Sequence, residues 1–343
     1  MTGGSTGRKA HRRQAGRAWI AAVCGAAAVL LAGCQFPGFS SASGPTAAGA
    51  SVTVASIPGV GNAPLYVAWQ QGMFRRSGLT VHIRSYPTVA AEVAALHSGQ
   101  ADIAVGDYAD FFYEQEHDAT APMVVLADGY DAGSNIMDVL VSPDSAITTP
   151  QGLAGKTIGT ADPQLMPDHV GAPYSLDTVA ASSALENDGV QPTSVTWAPM
   201  PADDLVGALR SHRVDAILVT EPEIYQAESE LGARTILDAC SGETVNLPLE
   251  GYFAPQSFAA KHRAALLAFR SVLMRAQANA VQPAPLEAAF IHYAGMSKET
   301  ASLITVGVYP TSLKVASLQR VADLMSFYGA LPHPLSVANM IFR

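Results

Sequence analysis

Ala95-Leu96-His97-Ser98-Gly99-Gln100-Ala101-Asp102 is echoed by Ala208-Leu209-Arg210-Ser211-His212-Arg213-Val214-Asp215, with four identities in eight positions. In each copy a helix-forming run ends on small or polar residues and an apolar run starts at once. Asp102 to Val105 reads as one buried strand and Asp215 to Val219 as the other. Polar residues follow both strands: Asp107-Tyr108 after the first, Thr220-Glu221-Pro222 after the second. Helix, strand and polar turn in that order are the repeating unit of an open α/β sheet. Ligands in such sheets bind beyond the carboxyl ends of the strands. The echo therefore predicts two similar α/β lobes with a polar cluster at the matching place in each.

Working outward, the same alternation fills the chain. Ser51 to Ile57 and Leu79 to Tyr86 read as strands. Between them Asn62 and Pro64 suit the first turn of a helix running to about Arg76, with Asn62 as its cap. Val89 to His97 and Tyr108 to Glu116 are helical, and Met123 to Ala127 is a strand. Ile136 to Val141 leads to a second region on the same plan: strands at Lys156 to Thr160, Val195 to Ala198 and Thr235 to Leu237, helices at Leu176 to Asn187, Asp204 to Arg210 and Glu223 to Leu231. After Gly251 the pattern changes. Tyr252-Phe253 reads as a strand re-entering the first lobe, and Ala259 to Ala280 and Ser317 to Tyr328 read as long helices. The expected division is lobe 1 over 51–142, lobe 2 over 143–248, and a return to lobe 1 over 249–343, so the chain crosses between lobes twice. The fold class is α/β, two-lobed, each lobe a mixed or parallel sheet flanked by helices around a hinge.

The N-terminal end reads as an address. Arg8, Lys9, Arg12, Arg13 and Arg17 precede an apolar run from Ala18 to Leu31, which ends in Leu31-Ala32-Gly33-Cys34. A basic segment, a short apolar segment and small residues before a cut mark a signal peptide over 1–33. The Cys makes the cut site a lipobox, with Cys34 as the lipidated residue. Residues 34–50, rich in Pro, Gly, Ser and Ala, read as a flexible tether. Arg12-Arg13 leaves open whether export runs by the general or the twin-arginine route. Removing residues 1–33 leaves 310 of 343 and, with five basic charges gone, takes the formal charge from −9 to −14. Such a surface argues against a nucleic-acid partner. Of three cysteines only Cys240 then stays free, so neither a disulfide framework nor a Cys-based zinc site is expected.

Catalytic signatures fail on inspection. Gly155-Lys156-Thr157 ends like a phosphate loop, but Pro150 stands where the earlier glycine is required, and the stretch precedes a strand. Gly59-Val60-Gly61 follows a strand but has Pro64 in place of the third glycine of a dinucleotide fingerprint. There is no Gly-x-Ser-x-Gly elbow, and the nine histidines show no metal-ligand spacing. No catalytic residue, metal or cofactor is expected. What remains is polar residues at strand ends: Asn62, Asp107, Tyr108, Asp110, Asp128, Tyr130, Tyr174, Ser175, Thr220 and Glu221. Each alone is more often a cap or turn than a ligand contact, and Asp107 and Ser175 are plausible N-caps.

The ordered phrases Asn62-Ala63-Pro64-Leu65-Tyr66-Val67-Ala68-Trp69-Gln70-Gln71-Gly72-Met73-Phe74, Ser77-Gly78-Leu79-Thr80-Val81, Ala95 to Asp102, Gly152-Leu153-Ala154-Gly155-Lys156-Thr157-Ile158-Gly159, Val214-Asp215-Ala216 with Glu221-Pro222, and Tyr309-Pro310-Thr311-Ser312-Leu313 span nearly all of 51–343. They resemble the substrate-binding proteins of ABC transporters of the nitrate/sulfonate/taurine and thiamine-precursor type, the NMT1/THI5-like group. The resemblance implies two lobes that close on a small solute, recognised by an ABC permease and its ATPase, in a monomer held at the extracytoplasmic face by the lipid on Cys34. It places the site at the loop Pro58 to Pro64 and at Asp107-Tyr108, Asp128-Gly129-Tyr130, Tyr174-Ser175 and Thr220-Glu221. The loop Asp162 to Tyr174 is long and Pro-rich where anion binders would expose a small helix start. With the carboxylates nearby, this leans towards a neutral or cationic solute, an N-heterocycle such as a pyrimidine or thiamine precursor, or an amine. The alternatives are a sulfonate, taurine or nitrate importer component and a ligand-sensing surface lipoprotein. An enzyme on the same fold is a further alternative that the lipobox disfavours.

Overall fold

The computed structural model describes residues 49–118, 120–161 and 175–343. The signal segment, Cys34, nearly all of the tether, and the loop Asp162 to Tyr174 lie outside the described residues.

Among the described residues ten strands form two five-stranded sheets. The strands are β1 Ala50–Ser56, β2 Leu79–Ser85, β3 Ile103–Asp107, β4 Met123–Asp131, β5 Met137–Val141, β6 Thr157–Ala161, β7 Thr196–Met200, β8 Ala216–Thr220, β9 Arg234–Asp238 and β10 Pro248–Pro255. The first sheet runs β2-β1-β3-β10-β4 and the second β7-β6-β8-β5-β9. In each, three parallel strands come first: β1 lies between β2 and β3, as β6 lies between β7 and β8. The fourth strand of each is antiparallel to both its neighbours, and it arrives from the other sheet: β10 in the first, β5 in the second. Both segments that cross between sheets, 132–136 and 239–247, lie side by side, with the Ala132 N–H donating to the Leu247 carbonyl at 2.8 Å.

The sequence echo has a structural cause. Gly99 (φ +71°) and His212 (φ +52°) take the left-handed conformation that ends each helix. Asp102 then turns its side chain onto the middle of β1, accepting from the Thr53 N–H at 2.8 Å, and Asp215 does the same to Thr157 at the start of β6, at 2.9 Å. Each Asp also returns its own N–H to the same residue, Asp102 to the Thr53 carbonyl and Asp215 to that of Thr157. The shared Asp is a clamp between the third and first parallel strands of each lobe.

Several elements differ from the sequence reading for local reasons. The expected helix from Asn62 to Arg76 is two, Ala63–Gln70 and Met73–Arg76, because Gly72 goes left-handed between them (φ +66°). Asn62 does not cap by its side chain: its Nδ2 donates to Ser56 Oγ (3.0 Å) and the Ile57 carbonyl (2.6 Å), and its Oδ1 accepts from the Gly59 N–H (3.1 Å). Asn62 thus staples the loop after β1. The expected helix Ala259 to Ala280 breaks at His262 into Gln256–Lys261 and Arg263–Asn279. Helices Pro283–Tyr293 and Lys298–Leu303 are not legible in the sequence pattern, the first because prolines open it and the second because it is six residues long with few apolar positions. The C-terminal helices pack back on the first lobe: Gln277 Nε2 donates to the carbonyls of Asp128 and Gly129, Tyr293 stacks on Tyr66, and Tyr309 OH donates to the Val60 carbonyl. Among the described residues no helix is long and apolar enough to cross a membrane.

Candidate functional site

A cleft of about 310 Å³ opens between the two sheets, at the carboxyl ends of β1, β3 and β8. Its first wall is the loop 57–62, stapled by Asn62, together with Val105, Gly106 and Asp107 at the end of β3. Its second is Ile136, Met137, Thr220 and Glu221 from the other lobe, with Asp177 in the first turn of helix Leu176–Asn187. Tyr130, Leu249 and Glu250 close it from β4 and β10.

Glu250 is central to the arrangement. β10 carries irregularities on both sides of Glu250, and such bulges re-aim a side chain. Glu250 stands directly across from Asp107 in the antiparallel ladder, a like-charge pairing that costs stability. Gly61 makes room for it, since a Cβ at Gly61 would collide with the Glu250 carboxylate. Burial first, and then the nearby Asp177, push the Glu250 carboxyl up to about 7. Burial alone raises Asp177 to about 6. Asp107 is raised by burial, then by Asp110 and Asp177, although its Oδ1 caps the following helix by accepting from the Ala109 N–H at 2.6 Å. Asp110, one turn on, is pushed up to about 7 by burial and by Asp177. No Lys, Arg or His stands among the described residues that line the cleft.

The residues expected from sequence separate into groups. Pro58, Asn62, Asp107, Tyr130, Thr220 and Glu221 line the cleft. Asn62 serves the loop, as described. The Tyr130 hydroxyl accepts from the Gly307 N–H at 2.6 Å. Glu221 has both oxygens engaged, accepting from Thr305 N–H at 2.9 Å and Tyr225 N–H at 3.1 Å, which makes it a strut from the second lobe to the C-terminal segment. Tyr108 and Asp128 do not line the cleft. Tyr108 is fully buried and donates its OH to Asp128 at 2.9 Å, in a space that Gly251 leaves clear for the ring. Ser175 caps its helix through the Thr178 N–H, and Asp177, two residues on, faces the cleft instead. Tyr174 lies outside the described residues. Glu250 and Asp177 were missed. The signal for Glu250 was present, as a single charge inside the apolar run Pro248-Leu249-Glu250-Gly251-Tyr252-Phe253-Ala254. Asp177 reads from sequence only as an acidic residue in a helix's first turn, where the dipole favours one anyway.

One group could hold a metal among the described residues. His97, Glu114 and Asp118 bring ligand atoms within 4.8 Å of one another on the surface, away from the cleft, and no such trio occurs among the cleft carboxylates.

Two mixed sheets of matching order, linked by paired crossings with a solvent-open cleft between them, define the class of two-lobed binding proteins with the periplasmic-binding-protein fold. The family model described as NMT1/THI5 like matches residues 61–288, and the chain belongs to that family. Among solved structures, the periplasmic aliphatic sulphonate binding protein SsuA from Escherichia coli is similar at a TM-score of 0.69 and 16% identity, covering 85% of this chain and 97% of that one. The alkanesulfonate-binding SsuA from Xanthomonas axonopodis pv. citri, bound to MOPS, is similar at 0.66 and 17%, covering 85% and 98%. The desulfurization enzyme DSZB is similar at 0.66 and 17%, covering 85% and 96%. At these identities the likeness is one of fold. No curated protein matches the sequence at a significant level.

Proposed function

We propose that this chain is the solute-binding component of an ABC importer, working outside the cytoplasmic membrane and held there through a lipid on Cys34. The observation that carries this reading is the cleft: both lobes contribute walls to it, at the strand ends, so a solute seated there draws the lobes together about the crossings 132–136 and 239–247. Family membership supports it, and so does the lack of any nucleophile–base pairing among the described lining residues. A permease and its ATPase are the partners such a protein serves. Among solutes, the sulfonate class has the support of the two sulfonate-binding neighbours, support that the N-heterocycle lean lacks.

One mass-spectrometric experiment addresses both halves. Protein extracted from membranes, without added solute, is expected to begin at a diacylated Cys34 and, sprayed under native conditions, to carry one small solute per chain. An unprocessed N-terminus removes the anchor. An empty chain that also shows no thermal shift with sulfonates, amines or heterocycles removes the solute-binding reading.

A further inference from the structure

We propose that the cleft seats a positively charged, N–H-bearing head group of the solute, an ammonium or amidinium, against the wall formed by Asp107, Asp177 and Glu250. This deepens the solute-binding reading and rests on it.

Geometry carries the proposal. The three carboxylates come from three separate elements, the end of β3, the helix Leu176–Asn187 and β10, and line one cavity. Among the described residues no hydrogen-bond donor reaches Asp177 or Glu250, and Asp107 spends one oxygen on its helix cap. All three are half-buried in the cleft, and an ionised carboxylate held partly out of water is favoured by a partner of opposite charge.

A second, independent observation lies behind the wall. Glu92, on helix Val89–His97, is 0% exposed, and neither of its oxygens meets a hydrogen-bond partner at normal length. It lies directly behind the cleft wall, beside Gly106 and the Phe111 ring. Its Oε2 stands 3.6 Å from where a Cβ at Gly106 would be, and Gly106 lines the cavity. Burial, then Glu250 and Asp110, push its carboxyl up to about 8, with small relief from the Ile57 backbone. Glu92 is thus a dry acid just behind the lining, already felt by Glu250 across it, where a positive charge in the cleft would act on it favourably.

The groups facing this wall are acidic on every side. Asp110 follows Asp107, Glu92 lies behind, and Glu221 and Glu223 approach from the second lobe, with the influence of Asp177 felt at Glu223. Lys314 and Arg320 act on Asp131 rather than on this wall. The carboxylates are also spread out. No three of them bring oxygens within 4.8 Å of one another, which suits a head group with several N–H donors better than a bare metal ion. A cationic end is compatible with a solute whose other end is a sulfonate.

Two pairs of probes test this, each close in size: benzamidinium against benzenesulfonate, opposed in charge, and taurine against ethanesulfonate, which lacks taurine's ammonium. Calorimetric titration of the full chain at pH 8 is expected to show the nitrogen-bearing member of at least one pair binding tenfold or more tightly than its partner. The preference shrinks as pH falls below 6 and the carboxyls protonate, while both cations stay charged. Glu250→Gln and Asp177→Asn, each near in shape to the original, should each cut that affinity about tenfold with the melting temperature held or raised. Equal or tighter binding of the plain sulfonates, tighter binding at low pH, or no binding of any probe overturns the cationic site. The solute-binding reading survives those results if a neutral or anionic solute is found with the purified chain, and falls only with an empty chain that no sulfonate, amine or heterocycle stabilises.

Discussion

Gly61 shows at the residue scale how a motif can be read correctly and still be misplaced. Gly59-Val60-Gly61 has the look of an unfinished nucleotide loop, and no phosphate cradle forms there. Its second glycine instead admits the Glu250 carboxylate, from a strand far along the chain. The requirement for glycine was legible and its reason was not, because the reason is a contact between remote segments. Gly61→Ala is expected to push Glu250 aside. The clashing atoms are the end of a flexible side chain, so the cost in stability should stay under about 1.5 kcal/mol, in the lower part of the range for overpacking a core. The affinity for a cationic probe should fall at least about fivefold, because Glu250 leaves its place opposite Asp107. Urea unfolding and titration on the same sample separate the two effects. A large loss of stability with affinity intact would mean that Glu250 has no part in binding.

The scale of elements is where sequence reading succeeded most. Strand order cannot be read directly from a sequence, but a repeated helix–turn–strand phrase can, and two copies of one phrase imply two copies of one sheet. The structure adds what the phrase is for: Asp102 and Asp215 tie the third parallel strand of each lobe to the first. Helix boundaries were less legible, since Gly72 and His262 break helices whose hydrophobic patterns run on unbroken, and periodicity does not register a backbone turn. The clamp makes a graded prediction. Asp102→Ala strands the partly buried Thr53 N–H and should cost about 1–3 kcal/mol. Asp215→Ala frees the Thr157 N–H at an exposed site beside Lys156 and should cost less, about 1 kcal/mol or below. Equilibrium unfolding of the two variants ranks them, and the reverse order would contradict the clamp's dependence on burial.

For the whole molecule, the distribution of buried carboxyls makes stability depend on pH in an unusual sense. Net acidity was plain from composition, but which acids end up dry depends on three-dimensional packing. Glu92 and Asp128 are pushed up to about 8, chiefly by burial, and Glu250 and Asp138 to about 7 for the same first reason. Unfolded, these groups titrate near 4. Between pH 4 and pH 8 the native chain therefore holds more protons than the unfolded chain, and stability must fall as pH rises through that window. Each unit by which a buried carboxyl stays above its unfolded value is worth about 1.4 kcal/mol. The ligand-free protein is thus expected to melt several degrees lower at pH 8 than at pH 5, opposite to a protein whose acids are held in salt bridges. A head group that meets ionised carboxylates supplies the missing counter-charge and should flatten this slope from the high-pH side, releasing protons as it binds near pH 6 to 7. Melting curves across pH, with and without benzamidinium, read both effects. A ligand-free melting temperature that rises from pH 5 to pH 8 would show that the buried carboxyls are ionised and paired, and with them would go the reason for a cation to bind.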